Sequence, residues 1–186
     1  MRIIRAADCL VMPWKNGGGT TTEIAVAPEG ASLNDFDWRI SMAHVGADGP
    51  FSSFPGIDRT LSVLTGAGIT LAFGDGERIR LDRSSAPYPF AADRAVEGLL
   101  VNGPIDDLNV MSRRGRWQHR VERVSGAGSL AASEGLLALV ARKGDWLVNG
   151  AALPAGDNAV LDKPGRVELT VSGGEAELYA VWLTAK

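Results

Sequence analysis

A cation, an amide, three hydroxyls and a carboxylate crowd around three consecutive glycines in the stretch Pro13-Trp14-Lys15-Asn16-Gly17-Gly18-Gly19-Thr20-Thr21-Thr22-Glu23. Glycine releases the backbone from steric limits and lets its N–H groups come close to a bound group, while Trp14 adds a flat apolar wall. The stretch reads as a binding loop entering a strand. An ordinary Asn16-Gly17 turn is the bland alternative, but a turn needs one glycine, not three. Neither phosphate-cradling spacing, G-x-x-x-x-G-K-[ST] or G-x-G-x-x-G opening a helix, is present, so nucleotide binding has little support.

Two arginines carry the next chemical signal. Alternation along Asp37 to Val45 puts Arg39, Ser41, Ala43 and Val45 on one face, and alternation along Arg59 to Thr65 aligns Arg59 with Leu61 and Val63. The Arg39 face is small and polar around one arginine, whereas Arg59 stands at the end of an apolar row, near a barrel mouth; a planar fork that donates two parallel hydrogen bonds suits a carboxylate. The competing role for either arginine is a structural ion pair with Asp37, Asp58 or Glu23. Lys15, Asn16 and the glycine backbone would complete the pocket. Trp14 would stack on a planar ligand, or else serve as a rim or core tryptophan. In Asp107 to Arg114, Asn109 and Met111 share a face, and Asn109 would supply an orienting amide. Arg113 and Arg114, near the strand end, read as solvated charges.

The chain has 186 residues, 45% hydrophobic and 22% charged, which fits one globular domain or two small ones. Its net charge of -3 argues against a nucleic-acid partner, since affinity for a phosphate backbone rests on an excess of Lys and Arg. Cys9 is the only cysteine, which excludes an intrachain disulfide and a cysteine-rich zinc site. No segment resembles a signal peptide or a membrane span, so a cytoplasmic location is expected. No G-x-S-x-G elbow is present, and Cys9 has no base beside it, so covalent catalysis is not expected.

The elements that must position these groups are short strands. Runs at Thr20–Ala27, Asp37–Val45, Arg59–Thr65, Ile69–Phe73, Leu99–Val101, Leu108–Met111, Leu136–Ala141, Ala159–Leu161, Val167–Val171 and Ala176–Leu183 are separated by Gly and Pro clusters. That pattern predicts an all-β sandwich or barrel. A faint echo between Leu64–Ile69 with Tyr88–Phe90 and Val140–Trp146 with Leu153–Asp157 suggests two halves. These would be residues 1–115, with most of the binding motifs, and residues 116–186, with Arg116 to Ser133 as the join, the boundary being approximate and partial interleaving of strands between the halves allowed. Within Gly49 to Arg59, Phe51 and Phe54 form a stiff aromatic loop that covers a pocket or, the favoured reading, plugs the gap between halves.

The strings Pro13 to Thr20, Trp38-Arg39-Ile40-Ser41, Gly49-Pro50-Phe51-Ser52-Ser53-Phe54-Pro55-Gly56-Ile57-Asp58-Arg59 and Asp107 to Gly115 together resemble the HutD/Ves family in order and spacing. The resemblance implies an all-β bicupin (RmlC-like), two small β-barrel halves sharing an interface, in bacteria that degrade histidine. It implies a regulatory role associated with urocanate and N-formylglutamate, and it suggests a homodimer. Ves-like relatives are named from stress induction, so the HutD-like and Ves-like roles both stay open. Metal-dependent cupins carry a His-x-His pair with a later Glu and His. This chain has only His44 and His119, apart from each other, so no metal and no cofactor are expected.

The leading expectation is a regulatory protein binding a small carboxylate metabolite through Trp14, Lys15, Asn16, Arg39, Arg59 and Asn109. A metal-free cupin enzyme, an isomerase or hydrolase using His44, Glu23 or Lys15 for proton transfer, is the alternative. A protein-interaction module without a ligand pocket is the third.

Overall fold

Strands make up nearly all the regular structure of the computed structural model, which describes residues 1–186; a single 3-10 turn spans Ala6–Asp8. No helix is long and apolar enough to cross a membrane. The chain divides into two compact units, Leu10–Arg116 (the first unit) and Met1–Cys9 with Trp117–Lys186 (the second).

The chain opens with β1 (Arg2–Ile4). The first unit then runs through β2 (Leu10–Pro13), β3 (Gly19–Ala27), β4 (Trp38–Val45), β5 (Gly49–Pro50), β6 (Ile57–Thr65), β7 (Ile69–Phe73), β8 (Arg78–Leu81), β9 (Tyr88–Ala91), β10 (Val96–Leu100) and β11 (Ile105–Arg113). The second contains β12 (Trp117–Val124), β13 (Gly128–Ala132), β14 (Leu136–Lys143), β15 (Trp146–Val148), β16 (Ala151–Leu153), β17 (Asn158–Asp162), β18 (Gly165–Val171) and β19 (Glu177–Ala185).

In the first unit a six-stranded sheet, β2-β3-β4-β11-β6-β9, accompanies a four-stranded sheet, β5-β10-β7-β8. One apolar core draws on both, with Val45, Leu61, Val63 and Ile105 from the first sheet and Ile69, Leu71, Phe73 and Val96 from the second. In the second unit the sheets are β1-β17-β14-β19-β12 and β13-β18-β15-β16, and their shared core includes Leu137, Leu139, Trp146, Leu153, Leu169 and Leu178. The units are therefore open two-sheet assemblies rather than closed barrels. Alternation explains the arrangement, because each strand turns one row of side chains inward and the two inward faces must cover one another.

The two units repeat one topology. Strands β4-β11-β6-β9 are neighbours in the same order as β12-β19-β14-β17, and β5-β10-β7-β8 in the same order as β13-β18-β15-β16. Even an irregularity recurs. A bulge breaks the β6–β11 ladder beside Val63 and Asp107, and another breaks the β14–β19 ladder beside Ala141 and Leu178. Counting from these bulges aligns Arg59 with Leu137, Asp107 with Leu178, Asn109 with Ala180, and Met111 with Trp182. Across the neighbouring ladders, Arg39 pairs with Met111 as Arg120 pairs with Trp182.

Three expectations change. Residues 1–9, read as part of the first half, belong with the second unit, because β1 pairs with β17. The segment Arg116 to Ser133 is no mere join but contains β12 and β13. Strand β12 lies at a sheet edge and alternates half-buried with exposed positions, so its charges mask the strand pattern. Phe51 and Phe54 pack inside the first unit, Phe51 against its core and Phe54 edge-on to Phe36 at 6.2 Å, rather than filling a gap between halves.

Candidate functional site

The inward face of the six-stranded sheet changes character along its strands. Near Gly19, Val45 and Ile105 it is apolar; toward the other end β11 offers Asp107, Asn109 and Met111 in successive inward positions. Ladder pairing sets Asp107 between Ala43 and Val63, Asn109 between Ser41 and Leu61, and Met111 between Arg39 and Arg59. Two buried guanidinium groups thus flank one methionine, as the alternation of β4 and β6 predicts.

Arg59 Nε donates to Asn109 Oδ1 at 2.7 Å, and Arg59 Nη2 donates to the same oxygen, leaving Nη1 without a protein partner. Asn109 in turn donates through Nδ2 to Asp107 Oδ1. The guanidinium lies against the Phe51 ring at 4.6 Å and the Phe90 ring at 5.6 Å, contacts that hold a delocalised cation over apolar surface. Arg39 is neutralised differently, its Nε donating to Glu23 Oε2 at 2.7 Å and its Nη1 to Ser41 Oγ at 3.4 Å. For Arg39 the structural ion pair is realised; for Arg59 it is not, because Asp58 pairs with Arg114 instead.

Arg59 is 8% exposed, Arg39 5% and Asn109 3%. Desolvation brings the Arg59 guanidinium down to about 10, opposed by Asp107 and assisted by Arg39, so it stays charged at neutral pH. The Asp107 carboxyl moves the other way, pushed up to about 7 by desolvation against the pull of Arg59 and the Asn109 hydrogen bond. Its Oδ2 is buried with no hydrogen-bond partner. The site therefore holds one paired cation, one cation with an open N–H face, and a carboxyl poised near neutrality. Such a set suits an anion that completes the coordination of Arg59.

The tryptophan–glycine loop lies elsewhere. Trp14 packs against the core and donates from Nε1 to Thr21 Oγ1 at 2.8 Å. Gly19 is required by that packing, since a Cβ there would stand 2.2 Å from the His44 carbonyl oxygen and 3.0 Å from the Trp14 ring. Gly17 adopts a φ of 71°, and Asn16 Oδ1 accepts from Gly18 N at 3.1 Å, so the loop closes the β2–β3 hairpin. Lys15 and Asn16 are exposed at the hairpin tip. Gly19 pairs with Val45 and Val26 with Arg39, so the tip lies about 20 Å of strand from the Arg39 row. The structure brings together Arg39, Arg59 and Asn109; it does not bring Lys15 and Asn16 to them, and it leaves Trp14 half-buried against the apolar end of the core.

Three further residues shape the site. Asp107 stands two positions before Asn109, so alternation along β11 already puts it on that face. Phe51 reaches Arg59 only because Gly98 has no side chain, since a Cβ at Gly98 would sit 2.7 Å from Phe51 Cε1 and 2.9 Å from Ile69 Cδ1. No local pattern marks Gly98 for this. Arg113, expected to be solvated, instead donates from Nε to the Phe36 carbonyl at 3.0 Å and braces the adjoining loop. On the outward side of the sheet, His44 Nδ1 lies 2.9 Å from Asp106 Oδ1, and Thr65 Oγ1 donates to Asp106 Oδ2 at 2.8 Å. That exposed cluster is on the opposite face from Arg59.

The second unit fills the corresponding inward positions with Leu137, Leu178 and Ala180, all buried. Its counterpart of Arg39, Arg120, lies over the Trp182 ring at 3.6 Å and pairs with Glu122. A groove of about 420 Å³ beside it is lined by residues including Gln118, Ser133, Glu134 and Thr184.

Fold and site together define a two-unit protein of the cupin fold in which one unit carries a buried cationic cluster. The fold assignment is supported by a cupin 2 conserved barrel domain protein from Leptotrichia buccalis, which superposes with a TM-score of 0.58 over 88% of each chain at 10% identity. Closer likeness identifies the family. The HutD family profile matches residues 6–179, and the chain belongs to that family. An uncharacterized 21.2 kDa protein in the hutC 3' region of Pseudomonas putida is 35% identical over 141 residues, 76% of this chain and 73% of that protein. Protein Ves of Citrobacter koseri is 33% identical over 147 residues, 78% of this chain and 75% of the relative. The structure of HutD from Pseudomonas fluorescens SBW25, obtained in a formate condition, superposes with a TM-score of 0.88 at 31% identity, covering 100% of this chain and 98% of that one.

Proposed function

We propose that this chain is a regulatory protein of histidine utilisation that binds a small carboxylate metabolite, with urocanate and N-formylglutamate as the candidate ligands. The carboxylate takes the open Nη1 face of Arg59, beside Met111 and Arg39, while Asn109 holds the guanidinium. One observation carries this reading: Arg59, Asn109 and Asp107 occupy positions that the second unit fills with Leu137, Ala180 and Leu178. The fold does not need polar groups there, and burying them carries a desolvation cost that a folding role alone leaves unexplained. A ligand carboxylate gives the cation the partner it lacks.

The family's link to histidine utilisation supports a metabolite of that route as the ligand, and the cationic cluster supports a carboxylate. Binding without turnover is part of this reading, with Arg59 and Asn109 cast as binding groups. Calorimetric titration with urocanate and with N-formylglutamate, followed by assay of the recovered ligand, tests the reading. Saturable binding of intact ligand that is lost in Arg59→Ala supports it. Equal binding in Arg59→Ala, in protein shown to be folded, moves the site elsewhere, and chemical conversion of the ligand makes the chain an enzyme.

A further inference from the structure

The ligand reading accounts for Arg59 and Asn109 but not for Asp107, a fully buried carboxyl that is not in direct hydrogen-bond contact with either arginine. Asn109 is the link. Its amide has two ends, and only the carbonyl end can accept from Arg59 Nε and Nη2; a reversed amide would face the guanidinium donors with its own N–H₂. Asp107 Oδ1 accepts from Nδ2 and so determines which end points at Arg59. The second unit changes all three positions together, to Leu178, Ala180 and Leu137, as expected if the three work as a set.

We propose that Asp107 is the positioning residue of the anion site: it orients Asn109 toward Arg59, and its protonation state governs how strongly the guanidinium attracts an anion. The inference rests on the ligand reading for its functional meaning, though its ligand-free part stands alone. The groups acting on Asp107 are Arg59 from β6, Asn109 on β11 itself and the backbone of Ala43 on β4; its ladder neighbours Ala43 and Val63 are apolar, and the Arg39–Glu23 pair lies farther along the face, beside Met111. The four-stranded sheet opposite contributes apolar Ile69, Leu71 and Val96 to the same core. Asp106, paired with His44, is the neighbouring charge on the outward side.

Ionised Asp107 offsets the charge of Arg59 through Asn109; neutral Asp107 leaves that charge to the ligand. An arriving carboxylate adds negative charge near Asp107 and favours its protonated form, so binding draws a proton from solution to the Asp107 carboxyl. Affinity then falls as pH rises through neutrality. A change of one unit in the Asp107 proton affinity on binding corresponds to about tenfold in affinity.

Two measurements test this. In ligand-free protein, the Arg59 Nε–H and Asn109 Nδ2 resonances are followed by NMR from pH 5 to pH 9. Both are expected to titrate together near neutrality in the wild type and to stay flat in Asp107→Asn; resonances that do not titrate in the wild type overturn the proposal whatever the ligand does. In the second, urocanate is titrated by calorimetry at pH 6 and pH 8.5. Wild type is expected to lose about tenfold in affinity between them, with proton uptake revealed by buffers of different ionisation enthalpy, while Asp107→Asn is pH-independent. If Arg59→Ala abolishes binding but Asp107→Asn keeps the wild-type pH profile, the ligand reading stands and this proposal falls. If the wild type binds no urocanate yet the resonances titrate as expected, the ligand reading fails for urocanate and the positioning role of Asp107 is upheld.

Discussion

Arg59 and Leu137 occupy one position of a repeated fold, each four residues before the bulge in its strand and each directed into the core of its unit. Leucine is what a two-sheet core wants there. Arginine at the same place brings a charge into apolar surroundings, where its partners Asn109 and Asp107 are needed to make it tolerable.

The second unit therefore supplies a template for removing the site without harming the fold. The triple variant Arg59→Leu, Asp107→Leu, Asn109→Ala is expected to fold, to be at least as stable as the wild type, and to bind no anion. Replacing a buried polar set by apolar residues is often neutral or stabilising by roughly 1–4 kcal/mol. Arg59→Leu alone should instead lose about 1–3 kcal/mol, because it leaves the Asn109 carbonyl and the Asp107 carboxyl buried without it. Denaturant midpoints of the two variants check this; a triple variant less stable than the single one refutes the template argument.

Gly98 controls the lid over Arg59. Gly98→Ala places a methyl 2.7 Å from Phe51 Cε1, so the ring must move off the guanidinium. Overpacking of this kind typically costs about 1–3 kcal/mol. The corresponding positions of the second unit carry Leu169 and Leu130, a larger residue on the sheet with a smaller one facing it. Adding Phe51→Leu to Gly98→Ala should consequently recover most of the stability while leaving urocanate binding weakened. Thermal melts paired with titrations separate the two effects.

Stability should carry the signature of Asp107. Its folded-state pKa, about 7, lies above the ordinary carboxyl value, so between about pH 4 and pH 7 the folded protein holds more protons than the unfolded chain. This contribution is fully present below about pH 4 and is lost as pH rises to about 7. Asp107→Asn lacks this dependence. Relative to wild type, the variant's unfolding free energy should therefore rise from pH 5 to pH 8, and a constant difference across that range would show that the carboxyl is not perturbed.

How far the sequence carries depends on how many copies of a pattern are needed to see it. Arg39 and Arg59 are legible because alternation in β4 and β6 is long enough to assign each to a face, Arg59 heading a row of Leu61 and Val63 and Arg39 a small row with Ser41 and Ala43. Asn109 followed from the same period in β11, and Asp107 lay two residues away on that same face. The glycine loop has a packing reason that residue types alone do not reveal: Gly19 answers to the Trp14 ring and the His44 carbonyl. Strand β12 is hidden because an edge strand carries charges on one row, β13 because Gly128-Ser129-Leu130-Ala131-Ala132 offers small residues and a single large apolar one, and Gly98 because its role exists only once Phe51 and Ile69 converge on it. The repeat itself is plain in strand order and almost absent from residue identity, since topology constrains burial rather than particular side chains.

Glu23 separates stability from affinity at the site. Its carboxylate holds Arg39 at 2.7 Å and cancels a charge that would otherwise stand beside Met111 and Arg59. Glu23→Gln keeps the shape and a hydrogen-bonding oxygen but removes the negative charge, leaving a nearly buried cation without its counter-charge. Breaking such a pair is destabilising, and the partial exposure of Glu23 places the loss toward the smaller end, roughly 1–3 kcal/mol. The net positive charge facing the ligand rises at the same time, so affinity for urocanate should increase several-fold even as the melting temperature drops. A variant that loses stability and affinity together would show that Glu23 serves to shape the site and that the charge it cancels does not reach the ligand.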